Sequence, residues 1–280
     1  MLRASILATV ALVAANAVAD QCSRDWACVE VEQTDRGVDI YARNKKPFPI
    51  TMTVAVPPNA GGSREAVTIS VPGLSRRTVT RLLSPEDPGT NYKYDWTIGW
   101  LNPDHDDGYL YRLPYADHVS FPVLQGFGSK FTHTGSEYFT VDFRMPQGTP
   151  VHAAREGVVA MVEESHDKGC QGMACAPFAN YVVILHDDGT TGEYYHLAQD
   201  GVLVRPGEWV SQGQPIGLSG NTGNSNVPHL HFGVYHAIDW GKTQSIAVRF
   251  ATRGGVIARP RPGARYMSPA SQVAPDSGQP

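Results

Sequence analysis

Two histidines stand two positions apart within residues 228–232, and their spacing is the first sign of chemistry in the chain. They alternate with the apolar Leu230 and Phe232, which predicts a β-strand. Side chains at positions i and i+2 of a strand point to the same face, so His229 and His231 would lie roughly 6 to 7 Å apart. Imidazole binds metals and transfers protons near neutral pH. The pair could therefore share one metal or acid–base site.

The same half of the chain carries other residues that a hydrolytic zinc site could use. Such a site takes three protein ligands from His, Asp, Glu or Cys and leaves one position for water. The candidates on turn-flanked strands are His133, Asp142, His196, His229 and His231. Two histidines on one strand face could both bind one metal. Spacing alone therefore leaves open which of the five residues are ligands and which act as acid or base.

Short extended segments separated by turns must position these residues. Residues 180–186 and 193–197 flank an Asp-Asp-Gly-Thr turn at 187–190, which predicts a β-hairpin. Residues 140–143 and 151–162 are further predicted strands. No window has the sustained 3.6-residue apolar period of a helix, so this half is predicted to be essentially all-β.

The preceding half also consists of short strands. Residues 28–32, 38–42, 50–56 and 66–71 alternate or cluster apolar residues between turns rich in Gly, Pro and Asp. Several short strands at this spacing predict an immunoglobulin-like β-sandwich, although the internal disulfide and tryptophan pattern of true immunoglobulin domains is missing. No catalytic cluster stands out in this half.

The first nineteen residues have the layout of a secretory signal peptide. Arg3 provides a positive start, residues 6–15 are nearly all apolar, and Ala17-Val18-Ala19 is a small-residue cleavage site. We expect the mature chain to begin near Asp20 and to be exported, to the periplasm or outside the cell. An uncleaved N-terminal anchor is the alternative. No second apolar run is long enough to cross a bilayer.

Four cysteines form two close pairs in the part expected to be exported, Cys22 with Cys28 and Cys170 with Cys175. An even number of cysteines in an oxidising compartment favours disulfides, each stabilising a short loop by roughly 2 kcal/mol. Zinc binding by four cysteines is the rival interpretation. It fits the spacing poorly because neither pair is Cys-x-x-Cys, and the connectivity stays open at this stage.

Charge argues against nucleic acid as a partner. The chain has 23 basic and 27 acidic residues, a formal net charge of −4, and no basic stripe. Proteins that bind nucleic acid neutralise phosphates with clustered Lys and Arg, so this class of function is excluded.

Beyond the individual residues, the chain from Gln125 to Val234 resembles the M23 family of LytM-type, lysostaphin-like zinc metalloendopeptidases. The resemblance is carried by an ordered series of blocks: His133, residues 138–146 and 148–151, 154–159, 180–184, 194–197, 213–217, 220–223 and 228–232. Ordered blocks over roughly a hundred residues are far more specific than any one motif.

The resemblance implies roles for the candidate residues. It implies that His133, Asp142 and His231 are the ligands of one zinc ion. It also implies that His196 and His229 are catalytic histidines beside the metal, which orient or deprotonate the attacking water and stabilise the oxyanion. Many members place the aspartate closer to the first histidine, whereas nine positions separate His133 from Asp142 here.

The implied function is endolytic cleavage of the peptide part of bacterial cell-wall peptidoglycan, with zinc and no organic cofactor. Two alternatives are a catalytically silent wall-binding or amidase-activating module and a secreted protease of Gly-rich proteins. The sequence leaves the oligomeric state open. The predicted organisation is a signal peptide at 1–19, a β-sandwich domain at 20–118, a LytM-type zinc peptidase domain at 119–250, and a largely disordered C-terminal extension at 251–280.

Overall fold

The structure is a computed structural model, and it describes residues 17–23, 25–56, 65–83 and 92–270. Their regular secondary structure is almost entirely β-strand, as predicted, with short 3₁₀ helices at Gly135–Glu137 and Met173–Phe178. Residues 1–16 of the predicted signal peptide lie outside the described part of the chain. Its cleavage stays a prediction. Within the described ranges, no helix has the length and apolar character needed to span a membrane.

The described strands of the N-terminal half form two antiparallel sheets. The strands are β1 (Ala17–Ser23), β2 (Ala27–Thr34), β3 (Gly37–Asn44), β4 (Ile50–Val56), β5 (Glu65–Val71), β6 (Arg76–Leu82) and β7 (Tyr94–Ile98). One sheet has the order β1-β2-β3-β6 and the other the order β5-β4-β7. The predicted strands at 28–32, 38–42, 50–56 and 66–71 all lie within these elements.

Both N-terminal sheets contribute to one hydrophobic core. Val29 and Ile40 from the first sheet and Ile50 and Met52 from the second are fully buried in the same cluster. Burial of such side chains contributes roughly 1.5 to 3 kcal/mol each. The sheets are therefore held together by packing, while the immunoglobulin-like sandwich predicted for this half stays a prediction.

The remaining strands form the C-terminal half. They are β8 (Leu110–Arg112), β9 (Ser120–Gln125), β10 (Val141–Phe143), β11 (Pro150–His152), β12 (Gly157–Glu163), β13 (Gly169–Cys170), β14 (Tyr181–Leu185), β15 (Thr191–Tyr195), β16 (Leu197–Val202), β17 (Trp209–Val210), β18 (Pro215–Ser219), β19 (Gly223–Asn224), β20 (Leu230–Ala237), β21 (Thr243–Ser245), β22 (Arg249–Thr252), β23 (Gly255–Ile257) and β24 (Arg265–Met267). The main sheet has the order β17-β12-β14-β15-β20-β10-β9-β24, with β21 paired to β20.

A single apolar core supports the main sheet. It buries Val141 and Phe143 from β10, Tyr194 from β15, and Leu230 and Phe232 from β20. These residues alternate with the candidate site residues along their strands, so packing one face of the sheet leaves the other face for chemistry. The predicted hairpin at residues 180–197 is confirmed as β14 and β15.

The C-terminal core also takes in residues that precede the predicted domain boundary at 118. Tyr111, Leu113 and Tyr115 are fully buried in this cluster, and β8 pairs in parallel with β22. The chain therefore joins the C-terminal half before residue 118.

The predicted disordered extension at 251–280 needs correction in its first part. Residues 251–267 include the end of β22 and all of β23 and β24. β24 adds to the edge of the main sheet by pairing with β9, and Tyr115 Oη donates to the Tyr266 carbonyl at 2.7 Å. Backbone pairing thus orders the first part of the predicted extension. Residues 271–280 lie outside the described part of the chain.

Both predicted cysteine pairs are confirmed as disulfides. Cys22 and Cys28 have Cα atoms 4.0 Å apart, and Cys170 and Cys175 have Cα atoms 5.7 Å apart. The second bond closes the loop that carries β13 and the 3₁₀ helix Met173–Phe178. β13 pairs with β19, which follows Thr222 in the chain.

The two halves pack through an aromatic cluster. Trp26 and Trp96 stack with ring centroids 4.4 Å apart and belong to a cluster that also contains Val183 and Leu185 of β14. Strand register through β15 places Val183 and Leu185 on the same sheet face as His231. The N-terminal half therefore rests on the face of the main sheet that carries the candidate site.

A buried polar network lies at the turn between β14 and β15. His186 is buried, with Nδ1 2.9 Å from Thr190 Oγ1 and its ring edge-on to Tyr111. Burial and the neighbouring Arg155 guanidinium lower the pKa of His186 to about 3. The imidazole is therefore neutral in the folded protein at neutral pH.

This neutral His186 predicts an acid-sensitive stability. The unfolded chain binds a proton at His186 as the pH falls through about 6.5, whereas the folded chain does not until about 3. The free energy of unfolding therefore falls as the pH decreases across that window, and His186 contributes up to roughly 1.4 kcal/mol per pH unit to the fall. Denaturant unfolding at pH 7 and pH 4.5 should show a smaller loss of this free energy for His186→Phe than for the parent. Equal losses in the two proteins would contradict the conclusion that His186 is neutral in the folded state.

Candidate metal centre

Neighbouring strands and one loop bring together the three residues predicted to bind metal. Asp142 on β10 and His231 on β20 are direct partners in the antiparallel pairing. His133 comes from the connection between β9 and β10 and is completely buried. The ligand atoms of the three side chains all lie within 4.8 Å of one another, as expected of a group that could hold a metal ion.

The three side chains converge on one carboxylate oxygen. Asp142 Oδ1 lies 3.1 Å from His133 Nε2 and 2.9 Å from His231 Nδ1. The other carboxylate oxygen, Oδ2, accepts a hydrogen bond from Gln125 Nε2 at 2.7 Å. The amide thus orients the carboxylate so that Oδ1 faces both imidazoles.

The position of the hydrogen on the His133 ring shows whether the centre suits a cation. His133 Nδ1 lies 3.1 Å from the Gly126 carbonyl, which can only accept, so the ring carries its hydrogen on Nδ1. Its buried Nε2 then has no hydrogen-bond partner and presents an electron pair to Asp142 Oδ1. Two electron pairs at this distance repel unless positive charge lies between them. The nitrogen and oxygen donors present suit zinc.

The pKa values of Asp142 and His231 also indicate that the centre is stabilised by a positive charge. Burial raises the pKa of Asp142, but the adjacent imidazoles of His133 and His231 outweigh it and hold that pKa well below its usual range. Burial lowers the pKa of His231, whereas hydrogen bonds to Asp142 and Glu137 raise it, to about 10 overall. Without metal, a proton on His231 therefore supplies the positive charge.

The two predicted catalytic histidines lie side by side next to this cluster. The rings of His196 and His229 have centroids 4.6 Å apart, and His196 is 6.0 Å from the ring of His231. His229 Nε2 lies 3.8 Å from Asp142 Oδ1. The structure thus brings all five predicted residues into one site.

Backbone carbonyls set the orientation of both rings. His196 Nδ1 donates to the Thr222 carbonyl at 2.6 Å, and His229 Nδ1 donates to the Val227 carbonyl at 2.8 Å. Burial, followed by repulsion from His229 and His231, lowers the pKa of His196 to about 3. Burial also lowers the pKa of His229. Both imidazoles are therefore neutral, with the electron pair on Nε2.

An unusual backbone conformation places His196. Its φ of 67° lies in the left-handed region, which non-glycine residues seldom adopt. The residue sits between the end of β15 and the start of β16. In a regular strand His196 would face away from Tyr195 and hence from His231, its pairing partner. The kink interrupts that alternation and turns the ring towards the site.

Two residues beside His231 were missed by the sequence interpretation. Tyr235 Oη lies 3.3 Å from His231 Nε2 and donates to Glu137 Oε2 at 2.6 Å. Tyr235 shares a strand face with His231 by the period of two along β20, which is a signal the sequence contains. Glu137 had no comparable signal, because its position depends on the path of the loop after His133.

Residues 136–246 match the model of Peptidase family M23. The match confirms the sequence resemblance to that family over this part of the chain. The match includes four of the five site residues, whereas His133 lies just before it.

Individual relatives cover limited parts of their own lengths. The peptidoglycan DD-endopeptidase ShyA of Vibrio cholerae is 46% identical over 92 residues, 32% of this chain and 18% of ShyA. Lysostaphin of Staphylococcus simulans is 37% identical over 140 residues, 50% of this chain and 23% of lysostaphin. The chain thus spans about a fifth of the length of these curated relatives. The solved catalytic domain of S. simulans lysostaphin is 26% identical, covers 51% of this chain and 95% of that chain, and has a TM-score of 0.31.

Proposed function

We propose that this protein is an exported, zinc-dependent endopeptidase that cleaves peptides of bacterial cell-wall peptidoglycan. The observation that carries the proposal is the convergence of three electron-pair donors beside two neutral histidines, within a domain of family M23. Its relative ShyA, a peptidoglycan DD-endopeptidase, supports peptidoglycan as the substrate class. A substrate in the cell wall agrees with the predicted signal peptide.

His133 Nε2, Asp142 Oδ1 and His231 Nδ1 would hold the zinc ion. A zinc ion in such a site lowers the pKa of water to about 7 and polarises the scissile carbonyl. The protein itself contributes a dry, oriented set of donors. Asp142 and His133 are buried, and the hydrogen bonds to Gln125 and Gly126 keep their ligand atoms aimed at the same point.

His196 and His229 would move the protons. Each ring is fixed through Nδ1–H to a backbone carbonyl, so each presents Nε2 as a base. Such a base can take a proton from the attacking water and return it to the leaving amine. Burial makes the resulting imidazolium unfavourable, so the proton is readily passed on. While charged, the ring can also donate a hydrogen bond to the oxyanion.

Hydrolysis of purified peptidoglycan by the zinc-loaded protein tests the proposed function. We expect new free amino groups to appear and mass spectrometry to show cross-linked muropeptides converted to their uncross-linked products. A Gly-rich protein incubated in parallel distinguishes a general secreted protease. Binding to peptidoglycan with no new amino groups would instead establish a silent wall-binding module and overturn the proposal.

A further inference from the structure

His231 is held at both nitrogens of its imidazole ring. Nδ1 lies 2.9 Å from Asp142 Oδ1, in the candidate metal centre. Nε2 lies 3.3 Å from Tyr235 Oη and 3.5 Å from Glu137 Oε2. The Glu137–Tyr235 pair thus contacts the nitrogen that points away from the metal centre, and the family resemblance assigns neither residue a role.

Hydrogen-bond directions in this chain fix the proton on His231. Tyr235 has a single hydroxyl hydrogen, and it donates this hydrogen to Glu137 Oε2 at 2.6 Å. Tyr235 Oη must then accept from His231 Nε2–H. With its hydrogen on Nε2, the neutral ring presents the electron pair of Nδ1 to the centre.

A glycine makes room for this contact. Gly233 lies between His231 and Tyr235 on the same face of β20, because alternate residues of a strand share a face. A Cβ atom at Gly233 would come within 2.6 Å of Tyr235 Cε2 and 2.8 Å of Thr140 Cγ2. The tyrosine ring therefore lies over position 233, and its hydroxyl reaches His231 only because that position has no side chain.

Glu137 is held by the connection between His133 and Asp142. It ends the 3₁₀ helix Gly135–Glu137, and its carbonyl accepts from Thr140 Oγ1 at 2.7 Å. The same connection is tied to β21 by the Phe139 amide, which donates to Ser245 Oγ at 2.9 Å. The connection thus brings a carboxylate to His231 and anchors it there.

We propose that Glu137 and Tyr235 are positioning residues for the metal centre. They keep the His231 ring in one orientation and its hydrogen on Nε2, so that Nδ1 is free to bind the metal. Hydrogen bonds of this kind to a metal-binding histidine typically account for 10- to 100-fold in metal affinity. The inference rests on the zinc centre of the proposed function.

Zinc affinity, measured by competition with a chelator of known affinity, tests this inference on the full chain. Tyr235→Phe and Glu137→Ala are each expected to weaken zinc binding about 10- to 100-fold. Glu137→Gln is expected to recover part of that loss, because its amide oxygen still accepts from Tyr235. The double variant Glu137→Ala/Tyr235→Phe should lose about as much as either single variant, since the two residues act through one hydrogen bond to His231.

Tyr115→Phe is the matched control. It removes another buried hydroxyl of the same half, one that donates to the Tyr266 carbonyl at 2.7 Å, and should leave zinc affinity unchanged. The absorption spectrum of Co²⁺-loaded protein gives a second measurement, which should change in Tyr235→Phe and not in Tyr115→Phe. Zinc affinities of Tyr235→Phe and Glu137→Ala within about twofold of the parent would overturn the inference.

The outcomes separate this inference from the proposed function. A parent protein that hydrolyses peptidoglycan, with unchanged zinc affinity in both variants, would retain the function and refute the positioning role. A parent protein that fails to hydrolyse peptidoglycan, with weakened zinc binding in both variants, would refute the function and retain the positioning role.

Discussion

Replacement of His231 by alanine is expected to remove zinc and hydrolysis together, whereas His229→Ala should remove most hydrolysis and keep the zinc. His231 Nδ1 is 2.9 Å from Asp142 Oδ1, within the group that can hold a metal. His229 Nε2 is farther from that oxygen, at 3.8 Å, and its ring lies beside that of His196, tilted by 49°. The structure therefore supports a division of labour between two histidines of one short motif.

The two variants are expected to differ in how much hydrolysis and how much zinc affinity they lose. Loss of a general acid–base residue typically costs 10²- to 10⁴-fold in rate, which we expect for His229→Ala. Loss of a ligand should weaken zinc binding by more than the roughly 10- to 100-fold that its hydrogen-bond partners contribute. Metal analysis of purified variants and release of amino groups from peptidoglycan measure the two effects separately.

An exposed histidine provides the control for this pair. His118→Ala changes a side chain outside the centre and should retain both zinc and activity. Melting curves of all variants would show whether the fold is kept. Equal loss of zinc in His229→Ala and His231→Ala would instead indicate that both histidines are zinc ligands.

Removal of zinc with a chelator is expected to abolish hydrolysis and to lower the melting temperature. A ligand that binds only the folded state stabilises it, by about 2.7 kcal/mol when the free ligand is at 100 times its Kd. Added zinc should restore both properties. The His231→Ala variant should show no change in melting temperature with chelator, because its centre would already be incomplete.

The pH dependence of zinc binding follows from the protonation of His231 in the protein without metal. The pKa of His231 is about 10 in the absence of metal, so at neutral pH this residue carries a proton that zinc must displace. Binding therefore releases a proton, and the apparent zinc affinity should fall as the pH is lowered. Titrations at pH 6, 7 and 8 in matched buffers measure this slope. An affinity that rises towards low pH would contradict the assignment of His231 as a ligand.

Much of the site followed from local sequence rules. The period of two along a strand predicts that His229 and His231 face the same side, and both rings do lie close to Asp142 Oδ1. Turn residues predicted the β14–β15 hairpin, whose second strand pairs with β20 and so places Tyr195 opposite His231. The family resemblance then assigned the roles of His133, Asp142 and His196 within the candidate set. These rules work because alternation and turns depend on neighbours in the chain.

The prediction for residues 251–267 failed because their pairing partners are distant in the chain. These residues were assigned to a largely disordered extension, yet β22 and β24 are ordered by pairing with β8 and β9 from the middle of the chain. A strand at a sheet edge satisfies its backbone groups through its neighbour, so little of its stability is encoded in its own residues.

The sequence by itself determined which residue types meet at the centre: histidines and a carboxylate on or beside strands whose other faces are apolar. Only the tertiary structure decided how each imidazole is used. The Gly126 carbonyl puts the hydrogen of His133 on Nδ1, and a positive φ turns His196 into the site. Tyr235, which donates to Glu137, lies against Nε2 of His231, while Nδ1 faces Asp142. The physical reason is that an imidazole's free electron pair is set by the partner of its other nitrogen, and those partners come from loops and strands remote in sequence.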